Sequence, residues 1–243
     1  MKKFDNLYSK LDQLEKLNKQ KYKEQLKFDE HVNEMINSVC LNKKIFLFYY
    51  ENYQKALEHS RHGNIMTAEN LVSRAGKYID KSLLSEDEKK LYDLICVPID
   101  AYLHYRKGDF SAAFTGTKKT MELDSYFEKK FPIVFFHKIQ QIHNLARISF
   151  RSMEVDRALI ILKDIFRLLI DKTQITFEDV VYDPIYLEYN SDDLRKSMIF
   201  DILTDVITTA EKHKENEKII ILDFCDEIIT HSSFNKLETQ AIL

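Results

Sequence analysis

Residues 101–113 read Ala-Tyr-Leu-His-Tyr-Arg-Lys-Gly-Asp-Phe-Ser-Ala-Ala. Apolar and aromatic residues at helical spacing run up to Gly108, and glycine there ends a helix in the left-handed conformation without steric cost. Asp109 follows with a side-chain oxygen able to accept the free N–H groups of a second helix. Ala113 then puts a small residue where two helices of a hairpin cross closely. The stretch is one helical hairpin turn, and it recurs. Ala68, Ala113 and Ala158 stand 45 residues apart; so do Ala56, Ala101 and Ala146, and so do Ile65, Phe110 and Val155. Gly63 and Gly108 share the turn position, with Met153 as the third member, and the turn at 61–64 reads Arg-His-Gly-Asn. Asn64 and Asp109 are the expected caps of the second helices.

Composition supports an all-α fold. The 243 residues include only 4 Gly and 3 Pro, where average usage gives roughly 17 and 12. Sandwiches, barrels and glycine-rich nucleotide folds need more tight turns than that. The hydrophobic share of 44% excludes disorder.

Amphipathic spacing also marks the segment before the repeats, from Phe4, Leu7, Leu11 and Leu14 to Tyr22, Leu26, Val32 and Met35. Its seam weakens over 18–21, and the segment is expected to pack onto the body. The organisation is therefore an amphipathic helical segment over 1–44, three hairpins over 45–172, an extended or irregular insert over 173–190 rich in β-branched and aromatic residues, and an acidic helix hairpin over 191–243. In that last part Ser191-Asp-Asp-Leu starts a helix, the helices span about 192–213 and 216–231, and one more helix is expected to begin at Asn235.

Charge is split. Residues 171–243 hold 16 acidic against 7 basic side chains, net −9, while residues 1–170 are net +6. A solvated helical surface is the first account of it, and an acidic end that docks a basic partner is the sharper one. An isoelectric point near 6.3 and the lack of a Lys/Arg block argue against nucleic acid. No apolar run follows Met1–Phe4 and no stretch approaches 18 apolar residues, which predicts neither a secretory leader nor a membrane span. Cys40, Cys96 and Cys225 are far apart with no C-x-x-C pair, as expected of buried free thiols in a cytoplasmic protein.

The 101–113 stretch and its repeats resemble the tetratricopeptide repeat. The likeness covers residues 45–172. It departs from the family in lacking an early Trp, in carrying Thr117 and Thr120 in the second helix, in having no closing Pro, and in a period of 45 rather than 34. The resemblance implies a right-handed α-α superhelix of antiparallel hairpins whose first helices line a concave face. That face would receive Tyr50, Tyr53 and Leu57, then Pro98, Tyr102 and Tyr105, then His143, Arg147 and Phe150. Arg61, Arg106 and Arg151, again 45 apart, would form a ladder along one edge for acidic peptide groups. A cation in a helix's last turn also serves the helix itself, by bonding its terminal carbonyls. Both readings of the arginines stand.

No catalytic motif is present: no G-x-S-x-G, P-loop, G-x-G-x-x-G or H-E-x-x-H. His59 and His62 have ligand spacing but no third ligand, and Asp223, Asp226 and Glu227 read as a solvated acidic stripe. The expected function is non-enzymatic, without metal or cofactor: an adaptor or scaffold that binds a protein or peptide segment, acidic in character, in the concave groove. The alternatives are a peptide-sensing signalling receptor and an accessory subunit of an enzyme complex.

Overall fold

In the computed structural model the described residues are 4–5, 7–10, 24–190 and 192–230, with side chains described for all of these except 24–30. The amphipathic seam over 11–23, Ser191 and the helix expected from Asn235 lie outside them. The described chain is mostly helical, so the all-α expectation holds. Two compact units are present, one of residues 26–148 and one of residues 1–25 with 149–243.

The first unit contains most of α1 (Glu24–Val39), α2 (Lys43–Arg61), α3 (Ile65–Gly76), α4 (Glu86–Lys107), α5 (Phe110–Phe127) and most of α6 (Val134–Arg151). A capping box starts α4: the Ser85 hydroxyl accepts from the Glu88 N–H, while the Glu88 carboxylate accepts from the Ser85 N–H at 2.9 Å. Glu88 also accepts from the Leu41 N–H at 2.9 Å, tying the α1–α2 connection to the start of α4. Burial alone would raise its carboxyl, but the Leu41 and Ser85 N–H groups and the Ser85 hydroxyl outweigh it and hold the pKa low. The core of this unit is aromatic: Tyr49 stacks on Tyr92 at 4.4 Å between ring centres and lies 4.6 Å from Tyr53.

The second unit has α7 (Val155–Asp171), an antiparallel hairpin of β1 (Ile175–Phe177) and β2 (Val180–Tyr182), a short α8 (Ile185–Glu188), α9 (Asp192–Ala210) and α10 (Glu215–Thr230). The insert expected over 173–190 is thus a β-hairpin with a helical turn. Its two-residue turn, Glu178-Asp179, has both residues at positive φ (49° and 65°), which matches the twist of the strands. The Arg195 guanidinium bonds the Leu169 carbonyl at 2.7 Å and pairs with Asp192, joining the end of α7 to the start of α9. Phe4 and Leu7 are buried, and the Tyr8 hydroxyl donates to the Glu211 carboxylate, so the described residues among 4–10 pack within the second unit, whereas 26–44 of the same expected segment belong to the first.

All three hairpin turns share one backbone geometry. The N–H groups of Gly63, Gly108 and Met153 donate to the carbonyls of Ser60, Tyr105 and Phe150, each at 3.1 Å. Those of Asn64, Asp109 and Glu154 donate to the carbonyls of His59, His104 and Ser149 at 2.8–3.0 Å, and together these two bonds close a helix through a left-handed residue. The residues in that position have φ of 83°, 82° and 63°. Of the two expected caps, Asp109 accepts from the Ala112 N–H at 3.1 Å, whereas Asn64 makes no side-chain cap bond and its helix start is held by the Ala68 N–H on the Asn64 carbonyl. Met153 occupies a conformation that costs an L-residue about 1–2 kcal/mol. Met153→Gly is therefore expected to stabilise the chain by about 1 kcal/mol in urea denaturation, less the entropy glycine returns to the unfolded state; a loss of stability would show that the Met153 side chain supplies more than its strained backbone costs.

The six repeat alanines are all buried. α4 and α5 approach closely at Gly116, where an added Cβ would come to 2.9 Å from the Ala101 Cβ.

Candidate functional site

In the first unit α4, α5 and α6 border a shallow recess, ≈ 300 Å³ when the open solvent over it is counted, lined by Pro98, Ala101, Tyr102, Tyr105, Thr117, Asn144, Arg147 and Ile148. Helical spacing builds its walls: along α4, Ala101 and Tyr102 stand three and four residues after Pro98 and four and three before Tyr105, and along α6, Arg147 and Ile148 stand three and four after Asn144. Pro98 stands inside α4, where its missing N–H leaves the helix one bond short, a cost otherwise avoided in a helix of 22 residues. The Tyr102 and Tyr105 rings lie 5.9 Å apart, half-buried. The Thr117 hydroxyl donates to the Ala113 carbonyl at 2.8 Å.

Three residues expected to bind therefore meet: Tyr102, Tyr105 and Arg147. The others go elsewhere. Tyr50 and Tyr53 are core residues of the first unit, and His143 is buried as well. Phe150 is buried in the second unit with its ring edge against His213, 5.7 Å between centres, and Arg151 is exposed in that same unit. Arg106 and Arg61 are exposed and connected: the Arg106 Nη1 donates to the Arg61 carbonyl at 3.0 Å and to the Tyr102 hydroxyl at 3.4 Å. At this position the arginine matches neither reading as it was stated. The cation serves the last carbonyl of the preceding first helix, α2, rather than of its own.

Behind the cleft wall runs a polar chain that the sequence reading left out. The Arg147 Nη1 donates to the Asn144 Oδ1 at 3.2 Å, and the Asn144 Nδ2 to the Gln141 Oε1 at 3.3 Å. The Gln141 Nε2 then meets the His137 Nε2 at 3.0 Å, and the His137 Nδ1 meets the Asp124 Oδ1 at 2.8 Å. The Gln141 Nε2 also donates to the His137 backbone carbonyl at 3.4 Å, within α6. Asp124 is fully buried; burial raises its carboxyl, and His137 works in the opposite direction. Next to it the buried Lys138 ammonium donates to both oxygens of Glu128, at 2.9 and 3.0 Å. The signal for this chain was a stripe of His137, Gln141, Asn144 and Arg147 at helical spacing.

Among the described residues, no group of three or more His, Cys, Asp or Glu side chains is placed to hold a metal ion, and no helix is long and apolar enough to cross a membrane. Cys40, Cys96 and Cys225 are buried and not in disulfides; burial pushes the Cys40 thiol up to about 12 and the Cys96 thiol up to about 11. Comparison with protein-family models, curated proteins and solved structures finds no match to this chain.

Proposed function

We propose that the protein is a non-enzymatic binding module, a cytoplasmic adaptor or scaffold of tetratricopeptide-like solenoid build, that takes a protein or peptide segment on the face formed by its first helices. The observation that carries this reading is the cleft itself. Tyr102 and Tyr105 from α4 and Arg147 from α6 come together on one apolar recess, although 42 residues separate Tyr105 from Arg147. The solenoid build is supported by three turns of one backbone geometry spaced 45 apart, each followed by a buried alanine. Rigid aromatic side chains with polar tips give large contact area for little lost rotamer freedom, as binding hot spots require. A half-buried guanidinium beside them favours a segment carrying acidic groups. The acidic C-terminal end, residues 171–243, is a separate surface for a basic partner.

The test is selection of a displayed random-peptide library on the purified chain, followed by affinity measurement of the enriched peptides on wild type and on a Tyr102→Ser/Tyr105→Ser variant of confirmed fold. Peptides bound at the cleft are expected to lose about tenfold or more in the variant, since each anchor ring truncated costs above 1 kcal/mol. Peptides that bind both forms equally would remove this cleft from the binding surface.

A further inference from the structure

We infer that one end of the first unit docks on an anionic lipid surface, with leucine and aromatic side chains entering the headgroup boundary and lysines meeting the lipid phosphates. Antiparallel hairpins bring the start of α2, the end of α3, the start of α4 and the end of α5 to that end. Three contacts tie them together. Glu88, in the first turn of α4, holds the Leu41 N–H just ahead of α2; the Tyr126 hydroxyl, near the end of α5, donates to Asp87; and the Phe48 ring of α2 meets Tyr78, just past α3, with 5.0 Å between ring centres. Six exposed large apolar side chains gather there: Leu41, Ile45, Phe48, Tyr78, Leu83 and Tyr126. Among the described residues of the first unit the remaining one is Met66, at the opposite end, in the first turn of α3. A single exposed leucine needs no explanation, but a cluster of this size on one end marks a contact surface.

Leu41 and Leu83 are 91% and 82% exposed and stand in the connections ahead of α2 and α4, places that polar side chains usually fill. Their backbone is held: the Leu41 N–H by the Glu88 carboxylate at 2.9 Å, the Leu83 N–H by the Asp80 carbonyl at 3.1 Å. Apolar tips that project from the end of a helix stack suit a fluid phase that closes around them, whereas a folded partner would have to supply a pocket for each. Charge gives the sign of that phase. The exposed carboxylates at this end are engaged: Glu86 by Lys89 at 2.8 Å, Asp87 by the Tyr126 hydroxyl, and Asp80 by the Ser82 N–H and hydroxyl at 2.9 and 2.7 Å. Asp93 is shared by Lys81 and Lys119, at 3.0 and 2.8 Å. Lys43, Lys44 and Lys77, which adjoin Ile45 and Tyr78 in the chain, are exposed and have no ion pair among the described residues. Unpaired lysines are drawn to anionic headgroups, and apolar insertion adds the second signal that stable peripheral contact requires. Tyrosine, apolar in its ring and polar at its tip, suits the same boundary. The contact is peripheral, since no described helix is long and apolar enough to cross a membrane.

None of these side chains lines the recess assigned above to peptide binding, so either reading can fail alone. The experiment is co-sedimentation of the full chain at low ionic strength with vesicles of phosphatidylcholine alone or of equimolar phosphatidylcholine and phosphatidylglycerol. Binding is expected on the mixed vesicles, weakened by added salt, with little on the neutral ones. Lys43→Ala/Lys44→Ala/Lys77→Ala and Leu41→Ser/Leu83→Ser should each lower the partition coefficient about tenfold or more. Met66→Ser should leave it unchanged. All of these side chains are exposed, so the substitutions spare the core. The chain has no Trp, and Leu41→Trp therefore supplies a single reporter whose emission should move to shorter wavelength on the mixed vesicles and be quenched by brominated lipid; Met66→Trp should do neither. Absence of co-sedimentation at low salt, sedimentation that both multiple variants retain in full, or a Leu41→Trp emission that the vesicles leave unchanged would overturn the inference. So would acidic peptides that bind the wild type and not these variants while vesicles bind neither, a result that assigns this end to a protein partner.

Discussion

Lys138→Met is expected to cost the fold about 3–5 kcal/mol at pH 7, the range measured when one partner of a buried ion pair is removed. The Lys138 ammonium has no exposed surface and gives two of its N–H bonds to Glu128, whose side chain is 8% exposed. Without the lysine, Glu128 keeps a buried charge with its principal counter-ion gone, in a place where burial already raises its carboxyl. The pH dependence of the penalty follows. A carboxyl raised above its unfolded value of about 4.3 is bound to its proton more tightly in the folded chain. Its contribution to stability is full below about pH 4.3 and is lost as pH rises through the folded pKa. The variant should therefore lie closer to wild type in urea denaturation at pH 5 than at pH 7. The double change Glu128→Leu/Lys138→Met replaces the pair by apolar groups and is expected to restore most of the loss, because filling such a site with hydrophobic residues is often neutral or better. If the single change costs under about 1 kcal/mol at pH 7, water must reach the pair and the description of it as buried is wrong.

The second large effect belongs to the α4–α5 crossing. Gly116→Ala would place a methyl 2.9 Å from the Ala101 Cβ and 3.5 Å from its Cα, and the two helix backbones must separate to admit it. Alanine is the better helix former by about 1 kcal/mol, so on an open surface this change would stabilise. Here overpacking is expected to win, with a net loss of about 1–3 kcal/mol. Adding Ala101→Gly to the variant moves the missing methyl to the opposite helix and should return most of that loss, the remainder being the cost of glycine in α4. Thermal melts of the two single changes and the double complete the cycle; additive effects would show that the helices do not meet at these positions. The Ala101 wall belongs to the cleft, so the same substitutions also test whether the binding face depends on the spacing of α4 and α5.

The hairpin turns were legible because everything that specifies them is short-range. Gly108, Asp109 and Ala113 lie within six residues of one another, and the left-handed closing residue, the cap and the small crossing residue each act on neighbours a turn or two away. The repeat at 45 extended the reading to Met153, which no propensity scale would put at positive φ; its place in the register, not its own chemistry, sets its backbone. The β-hairpin over 175–182 was less legible. Its turn is Glu178-Asp179 where a two-residue turn of this kind favours Asn-Gly, so the local signal was missing although the β-branched runs on either side were visible.

The binding residues divide along the same physical line. Periodicity assigns a residue to a face of its helix but says nothing about what that face meets. Tyr50, Tyr53 and His143 occupy repeat positions that a curved stack would leave open, yet neighbouring elements cover them, whereas Tyr102, Tyr105 and Arg147 retain a recess. Arg106 was read as a cation for its own helix end or for a ligand, and its bond to the Arg61 carbonyl depends on two helices lying side by side. The chain from Arg147 to Asp124 required one further fact, that α5 brings a carboxylate under the first turn of α6. The sequence by itself determined the helices, their ends and the period of their turns, since those follow from hydrogen bonds and steric limits within a few residues. Tertiary structure alone decided which aromatic side chains are core, where the cleft lies and how its arginine is held, because those depend on burial and donor–acceptor matching between helices that the chain separates by tens of residues.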